Sequence, residues 1–480
     1  MKPTPASAVA CLIAILSFCP VARAAAADST PTWQERHDKL VLRLRNLSSK
    51  EDAFGAAYRP LYHAALAWYE LWGGRDPSPV DPDMVSPEAY AEELAGALEQ
   101  GRNYFAEQPN ALFPLAFQGT LAGGKQVRAN YWLYLPAGFP GAGRTFPLVI
   151  DLHGSGWLGH KISFKPRPGP AGPTFGVTPI NMGGPWRIDF LNAYLDELLA
   201  ILPVDRDRVY VEGHSLGAIA TWEWALDNPE RFAAISPRSG VGEPYRASRL
   251  KNVPSWVIHG ENDNVIPYGF AEQMVSALES QGAAVRLSVL KGGEHNMPAD
   301  LDQRQVLDWY LRQTRSHLPP PPDPRDGLGI DASGFSPWEI ITVPETARWK
   351  SEPVADLGEQ GIRAAAKALF RRVHDRGEAA DAPMVWQIDP KTRLTTFWLD
   401  VPKTLHATGP ADPSAISVPQ SRYVRFYGRG RIQGALDHLQ AIRADVASKG
   451  HTLRGDVWYT PLSLWHDSPA AVFECRVETD

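Results

Sequence analysis

The stretch Val209–Pro229, VYVEGHSLGAIATWEWALDNP, decides the fold. Val209 to Val211 read as a buried strand, Ser215 falls in a sharp turn, and a helix follows. In the pattern G-x-S-x-G, here Gly213 to Gly217, the glycines keep Cβ atoms out of a strained turn. The serine oxygen then stands above the sheet edge, with a helix N-terminus beneath it. Glycine is common in this chain, 40 of 480 residues, so the bare pattern is weak evidence and its flanking strand and helix carry the weight.

A serine nucleophile needs a base and an acid that orients the base, and on this kind of scaffold they follow in the chain order Ser, Asp, His. VPSWVIHGENDNVIP, residues 253–267, is an apolar strand that opens into a polar turn and puts Asp263 at a carboxyl-terminal strand tip. AAVRLSVLKGGEHN, residues 283–296, ends in a Gly292-Gly293 turn that presents His295. Three reactive residue types after three successive strands share one edge of a parallel sheet. Glu261 is the alternative acid, and His153, His214 and His259 sit beside motif glycines as structural histidines. Upstream, RTFPLVIDLHGSGW, residues 144–157, is a buried-type strand running into Gly154-Ser155-Gly156. That loop, with Ser155 as the first donor, and the backbone N–H of Leu216 are the candidates for holding an oxyanion.

These motifs resemble those of α/β-hydrolase esterases, and they are most similar to secreted polyhydroxybutyrate-depolymerase and feruloyl-esterase types, which also read much like DRVYVEGHSLG and FAAISPRSG. The resemblance covers roughly residues 113–316. It implies a mostly parallel sheet with helices on both faces, and hydrolysis of a small-molecule or polymer ester with no metal and no organic cofactor. Such relatives often carry a second glycine after the elbow, where this chain has Ala218.

Residues 157–187 interrupt the usual spacing with a Pro- and Gly-rich run, which reads as a loop insertion over the active-site edge. Trp157, Phe175 and Trp186 are its candidate substrate contacts, as apolar pocket lining. Before the first strand, residues 33–47, 58–72 and 88–108 carry apolar residues at helical spacing, and Ser86-Pro87 is a helix start signal. Residues 115–136 read as a hairpin turning at Gly123-Gly124.

A net charge of −6 with no basic stripe gives no nucleic-acid signature. Lys2, an apolar run from Ala8 to Phe18 and a small-residue stretch after Pro20 fit a cleaved signal peptide, too short for a membrane span, so the chain is expected to be exported, periplasmic or secreted. Cys11 and Cys19 lie in that peptide, which leaves Cys475 alone and excludes an intramolecular disulfide in the mature chain.

HLPPPPDPRDG, residues 317–327, holds an extended spacer. Beyond it comes an apparent duplication of strand, helix, strand, strand: Trp338 to Pro344, Gln360 to Val373 and two strands around Asp389-Pro390; then Arg422 to Tyr427, Ile432 to Ser448 and two strands near Val457 and Val472. Two such β-α-β-β halves form a small α+β domain. PWEIITVPETARWKS (337–351) and GALDHLQAIRADVASKGHTLRGDVWYTPLS (434–463) resemble the SOUL haem-binding and gyrase-inhibitor-like superfamily, over roughly 334–480. That resemblance implies a small-ligand cleft, one that could take a tetrapyrrole, although no histidine here has a spacing that marks an iron ligand.

The expected organisation is a signal peptide at 1–25, a helical extension at 26–110, an α/β-hydrolase domain at 111–317, a Pro-rich linker at 318–330 and the α+β domain at 331–480. The expected activity is that of a serine esterase. The alternatives are a prolyl-oligopeptidase-like peptidase, against which the lack of an upstream propeller repeat counts, and a small-molecule-binding protein with a vestigial hydrolase site.

Overall fold

The computed structural model describes residues 31–49, 56–71, 86–108, 111–121, 124–136, 138–141, 143–155, 174–181, 184–296, 303–355, 359–380, 383–401, 414–463 and 471–480. The signal-peptide expectation and Trp157 lie outside them.

Strand propensity and buried alternation build a first sheet of eight strands: β1 (Leu112–Thr120), β2 (Gln126–Tyr134), β3 (Phe146–Leu152), β4 (Phe175–Pro179), β5 (Val204–His214), β6 (Ala234–Arg238), β7 (Ser255–Gly260) and β8 (Val285–Leu290). Their order is β1-β2-β4-β3-β5-β6-β7-β8. β1, β2 and β4 pair antiparallel, and every pairing from β4-β3 to β7-β8 is parallel. β3 and β7 are near-continuous apolar runs, and β5 carries one at Val209–Val211, as strands covered on both faces must.

Among the described residues, three helices, α1 (Trp33–Ser48), α2 (Arg59–Glu70) and α3 (Pro87–Glu99), precede the sheet. Thr32 and Glu35 form a capping box on α1, and Ser86 accepts from Ala89 N–H with Pro87 at the first position of α3. Their buried faces (Leu40, Leu44, Leu61, Trp68, Leu94) join the core of the sheet itself. Then come α4 (Ile188–Ile201), α5 (Leu216–Asp227), α6 (Gly269–Ser280) and α7 (Gln303–Tyr310).

Part of the 157–187 segment departs from the loop reading. Phe175–Pro179 is strand β4, wedged between β2 and β3. Phe175 is wholly buried, edge-on to Phe139 and Phe146, so it belongs to the core and not to a pocket wall. Proline and glycine dominate the composition around it, but Phe175, Val177 and Pro179 alternate on one face, and that short pattern is enough for a strand filled from both sides.

The carboxyl-terminal half is a second sheet, antiparallel throughout, with order β13-β10-β12-β11-β15-β16-β14-β9. Its strands are β9 (Glu339–Val343), β10 (Thr346–Lys350), β11 (Val385–Ile388), β12 (Thr395–Asp400), β13 (Ile416–Val418), β14 (Ser421–Arg429), β15 (Leu453–Pro461) and β16 (Val472–Thr479), with helices α8 (Glu359–His374) and α9 (Ile432–Ser448). Among the described residues the six strands expected are therefore eight. Each half has two strands before its helix and two after. The first strand of each half crosses over to pair with the other, β9 on β14 (Val343↔Ser421) and β13 on β10 (Thr346↔Val418), so the halves are interlocked rather than merely adjacent. Ala366, Leu369 and Val373 of α8 and Leu436, Leu439 and Val446 of α9 pack on Trp386, Phe397, Val457 and Phe473, in a core separate from that of the first sheet.

The proline-rich junction is not a free spacer. Asp323 begins a short 3-10 turn over Pro324–Leu328, and its carboxylate takes Arg246 Nε at 3.0 Å and Nη2 at 2.6 Å. Arg246 is 1% exposed and is also bonded to Glu243, Asp227 and the Leu226 carbonyl. Arg249 holds the Pro321 carbonyl, and Tyr245 donates to that of Pro324.

Candidate active site

Ser215 lies between β5 and α5 with φ +55° and ψ −119°, a conformation that L-residues avoid. The surroundings over-determine it. Its N–H donates to the Arg238 carbonyl of β6 at 3.0 Å. A Cβ on Gly217 would stand 1.8 Å from the Leu152 carbonyl oxygen, and one on Gly213 would stand 2.4 Å from Gly217 carbon, so the β3–β5–α5 crossing closes only around glycine. Ala218 is accommodated by Gly240, where a Cβ would meet the Ala218 methyl at 2.5 Å.

The structure brings Ser215, His295 and Asp263 together. His295 Nε2 is 2.8 Å from Ser215 Oγ, and His295 Nδ1 is 2.8 Å from Asp263 Oδ2 and 3.0 Å from Oδ1. Asp263 is closed off from solvent, and its Oδ1 also accepts the N–H groups of Val265 and Ile266, both at 2.8 Å. Burial by itself would raise the Asp263 pKa. Hydrogen bonds from His259, His295, Ile266 and Val265 outweigh it and hold the carboxyl well below the usual range. Glu261, the alternative acid, is instead bound to Lys291 Nζ at 2.8 Å and Gly292 N–H at 2.9 Å on the surface.

His214 Nε2 donates to the His295 carbonyl at 2.8 Å and so fixes the backbone that presents the imidazole; burial pulls the His214 pKa down. His153 Nδ1 donates to the Gly154 carbonyl at 2.8 Å, and its Nε2 accepts from Asn181 N–H at 2.9 Å. Burial lowers its pKa as well, which suits a neutral ring that pins the loop after β3.

Leu216 opens α5, where an N–H has no acceptor within the helix. Gly154 approaches closely, since a Cβ there would be 3.2 Å from both the His214 carbonyl oxygen and Ser215 Cβ. Ser155 follows it, exposed. Trp186 is buried, donates from Nε1 to the His153 carbonyl at 3.2 Å and sets its ring edge-on to His153, so it supports the loop rather than lining open space.

The sequence reading missed a buried ionic cluster directly below the site. Arg238 of β6 reaches Asp151 of β3 at 2.9 Å and Glu212 of β5 at 3.1 Å, with Tyr310 OH 3.4 Å from Glu212. Two carboxylates share one cation, and burial pushes the Asp151 carboxyl up despite Arg238. A charged residue inside each of three apolar parallel strands is the signal that could have revealed it.

Residues 188–303 match the sequence model of the Phospholipase/Carboxylesterase family. Over 235 residues the chain is 26% identical to an uncharacterized peptidase, YuxL, of Bacillus subtilis (strain 168), covering 38% of this chain and 35% of that one. Over 106 residues it is 26% identical to the bifunctional acetylxylan esterase/xylanase XynS20E of Neocallimastix patriciarum, covering 22% and 16%. Among solved structures, a thermostable esterase aligns with 24% identity and a TM-score of 0.36, over 42% of this chain and 63% of that one. The chain thus spans about a third or less of the length of these curated relatives. The first sheet and its helices have the α/β-hydrolase fold.

Proposed function

We propose that the chain is an exported serine hydrolase of carboxylic esters. The observation that carries this reading is the unbroken path from Ser215 Oγ through His295 to a buried Asp263, at 2.8 Å per step. Ser215 Oγ attacks the ester carbonyl while His295 Nε2 takes its proton. Asp263 keeps the remaining imidazole proton on Nδ1 and balances the imidazolium charge. The tetrahedral oxyanion is held by backbone N–H groups at Leu216 and in the Gly154–Ser155 loop. His295 then returns the proton to the leaving alcohol, and a water repeats the sequence on the acyl-Ser215 to release the acid.

Ester substrates are favoured by the family match, and a peptidase reading is favoured by the likeness to YuxL. The test is turnover of nitrophenyl esters beside N-acyl amino-acid anilides, together with labelling by a fluorophosphonate. Ser215→Ala should abolish ester turnover and labelling while leaving the melting temperature near wild type. Residual turnover above about a tenth of wild type would sink the nucleophile assignment. Anilide cleavage exceeding ester cleavage would turn the reading to a peptidase.

A further inference from the structure

Asp263 is held by more than its own loop. His259, at the end of β7, is wholly buried and points Nε2 at two acceptors, the Ile266 carbonyl at 2.9 Å and Asp263 Oδ2 at 3.2 Å. Nε2 therefore carries the proton. Among the described residues, Nδ1 is buried without a hydrogen-bond partner, a cost that a purely apolar side chain would avoid. What the imidazole supplies is a further donor to the oxygen that also faces His295.

The His259 ring is not free to turn. Tyr268 lies edge-on to it at 5.9 Å, and His374, from α8 of the second sheet's domain, lies 5.2 Å from Tyr268 on the α8 side. His374 Nε2 donates to Glu272 Oε2 at 2.5 Å, Ala380 N–H donates to the same oxygen at 3.3 Å, and the Tyr268 hydroxyl shares a hydrogen bond with Glu272. The start of α6 is pressed close: a Cβ on Gly269 would sit 2.4 Å from the Phe370 ring, and Phe270 meets Phe370 edge-on at 5.0 Å. The segment leading out of the acid loop is thus also gripped by groups from α8 and the residues after it.

We propose that the carboxyl-terminal domain positions the acid of the hydrolase site: His374 fixes Tyr268 through Glu272, Tyr268 fixes the His259 ring, and His259 orients the Asp263 carboxylate toward His295. His259 and His374 are positioning residues, and the second domain is part of the hydrolytic apparatus. This rests on the reading of Ser215, His295 and Asp263 given above.

The experiment is a double-mutant cycle in the full-length chain, read as kcat, KM and the rate of fluorophosphonate labelling. His374→Ala and His259→Asn should each lower kcat by about tenfold or more with KM little changed, because misplacing an orienting group slows the chemical step rather than binding. His374→Gln, whose amide still donates to Glu272, should recover most of the loss. The double variant should be no slower than the worse single variant, since both changes break one path. Wild-type kcat in His374→Ala, or losses that multiply in the double variant, would overturn the proposal. If His374→Ala does not fold, His374→Asn carries the same comparison with His259→Asn, with His374→Gln still the rescue. Wild type that labels normally while the disrupting His374 variant and His259→Asn label equally fast defeats this inference alone, whereas a wild type that never labels defeats the underlying site as well.

Discussion

The nucleophile and the acid of this site are held in place by different means. Ser215 is fixed by backbone alone, with Gly213 and Gly217 packed against Leu152 and one N–H bonded to Arg238. Five consecutive residues and two neighbouring strands contain all that the elbow needs. Asp263 is fixed by its own loop, through the N–H groups of Val265 and Ile266, and also by side chains from β7 and from the loop after β8, with an exit segment gripped by α8. A local device is robust and written in a motif. A distributed one can be tuned from elsewhere in the molecule, and it can also be lost from elsewhere.

The sharpest way to break that comparison is at the acid itself. Asp263→Asn should cost on the order of 10³ to 10⁴ in kcat by presenting an amide to His295 and misorienting the imidazole. Glu261→Gln should leave kcat within about twofold, because Glu261 is committed to Lys291 and Gly292. A damaging Glu261→Gln beside a mild Asp263→Asn would move the acid to the other carboxylate.

At the elbow the corresponding change is Gly217→Ala. Its methyl would fall 1.8 Å from a carbonyl oxygen with backbone on both sides and nothing flexible to yield. The expected result is loss of the fold, or a destabilisation of about 3 kcal/mol or more, seen as a large fall in melting temperature. A folded, active variant would show that the crossing of β3, β5 and α5 is looser than the glycine packing requires.

This contrast also explains what could be read from the sequence. The elbow, the strand tips bearing Asp263 and His295, and the helices of the amino-terminal extension are local signals: glycines at fixed offsets, apolar runs ending in polar turns, Ser86-Pro87 as a cap. β4 was hidden because its five residues sit inside a Pro- and Gly-rich run, and β10 and β13 because five and three residues give too little alternation to register. The crossing of β9 onto β14 and of β13 onto β10 depends on pairing between segments far apart in the chain (Val343 with Ser421, Thr346 with Val418), which periodicity cannot express. The grip on Arg246 is of the same kind. A proline run looks like a spacer until its Asp323 is seen to complete a buried guanidinium 77 residues away.

That junction supplies the next test. A chain ending at His317 lacks Asp323 and leaves Arg246 short of one carboxylate, whereas a chain ending at Gly329 keeps it; both lack α8 equally. The longer chain should melt several degrees higher, since about 1–3 kcal/mol attaches to an unmet buried donor and each kcal/mol moves a domain of this size by about 2–4 °C. Equal melting temperatures would show that residues 318–329 are a passive tether.

The smallest effect expected is a pH dependence at the same contact. Burial would raise the Asp323 carboxyl, but Arg325 and Arg246 outweigh it and bring it down to about 2. The unfolded chain titrates the same group near 3.9, so the contribution of its ionised form is fully present above about pH 5 and is lost as pH falls through 4 toward 2. The two values imply on the order of 2 kcal/mol at neutral pH, of which roughly half should be gone by pH 3. Urea melts of wild type and Asp323→Asn at pH 6 and pH 3 read this directly, because subtracting the two proteins at each pH removes the titration of every other carboxylate. The stability gap should narrow by about 1 kcal/mol on going to pH 3. A gap that stays constant, or widens, would mean that Asp323 acts through the shape of the 3-10 turn it caps and not through its charge on Arg246.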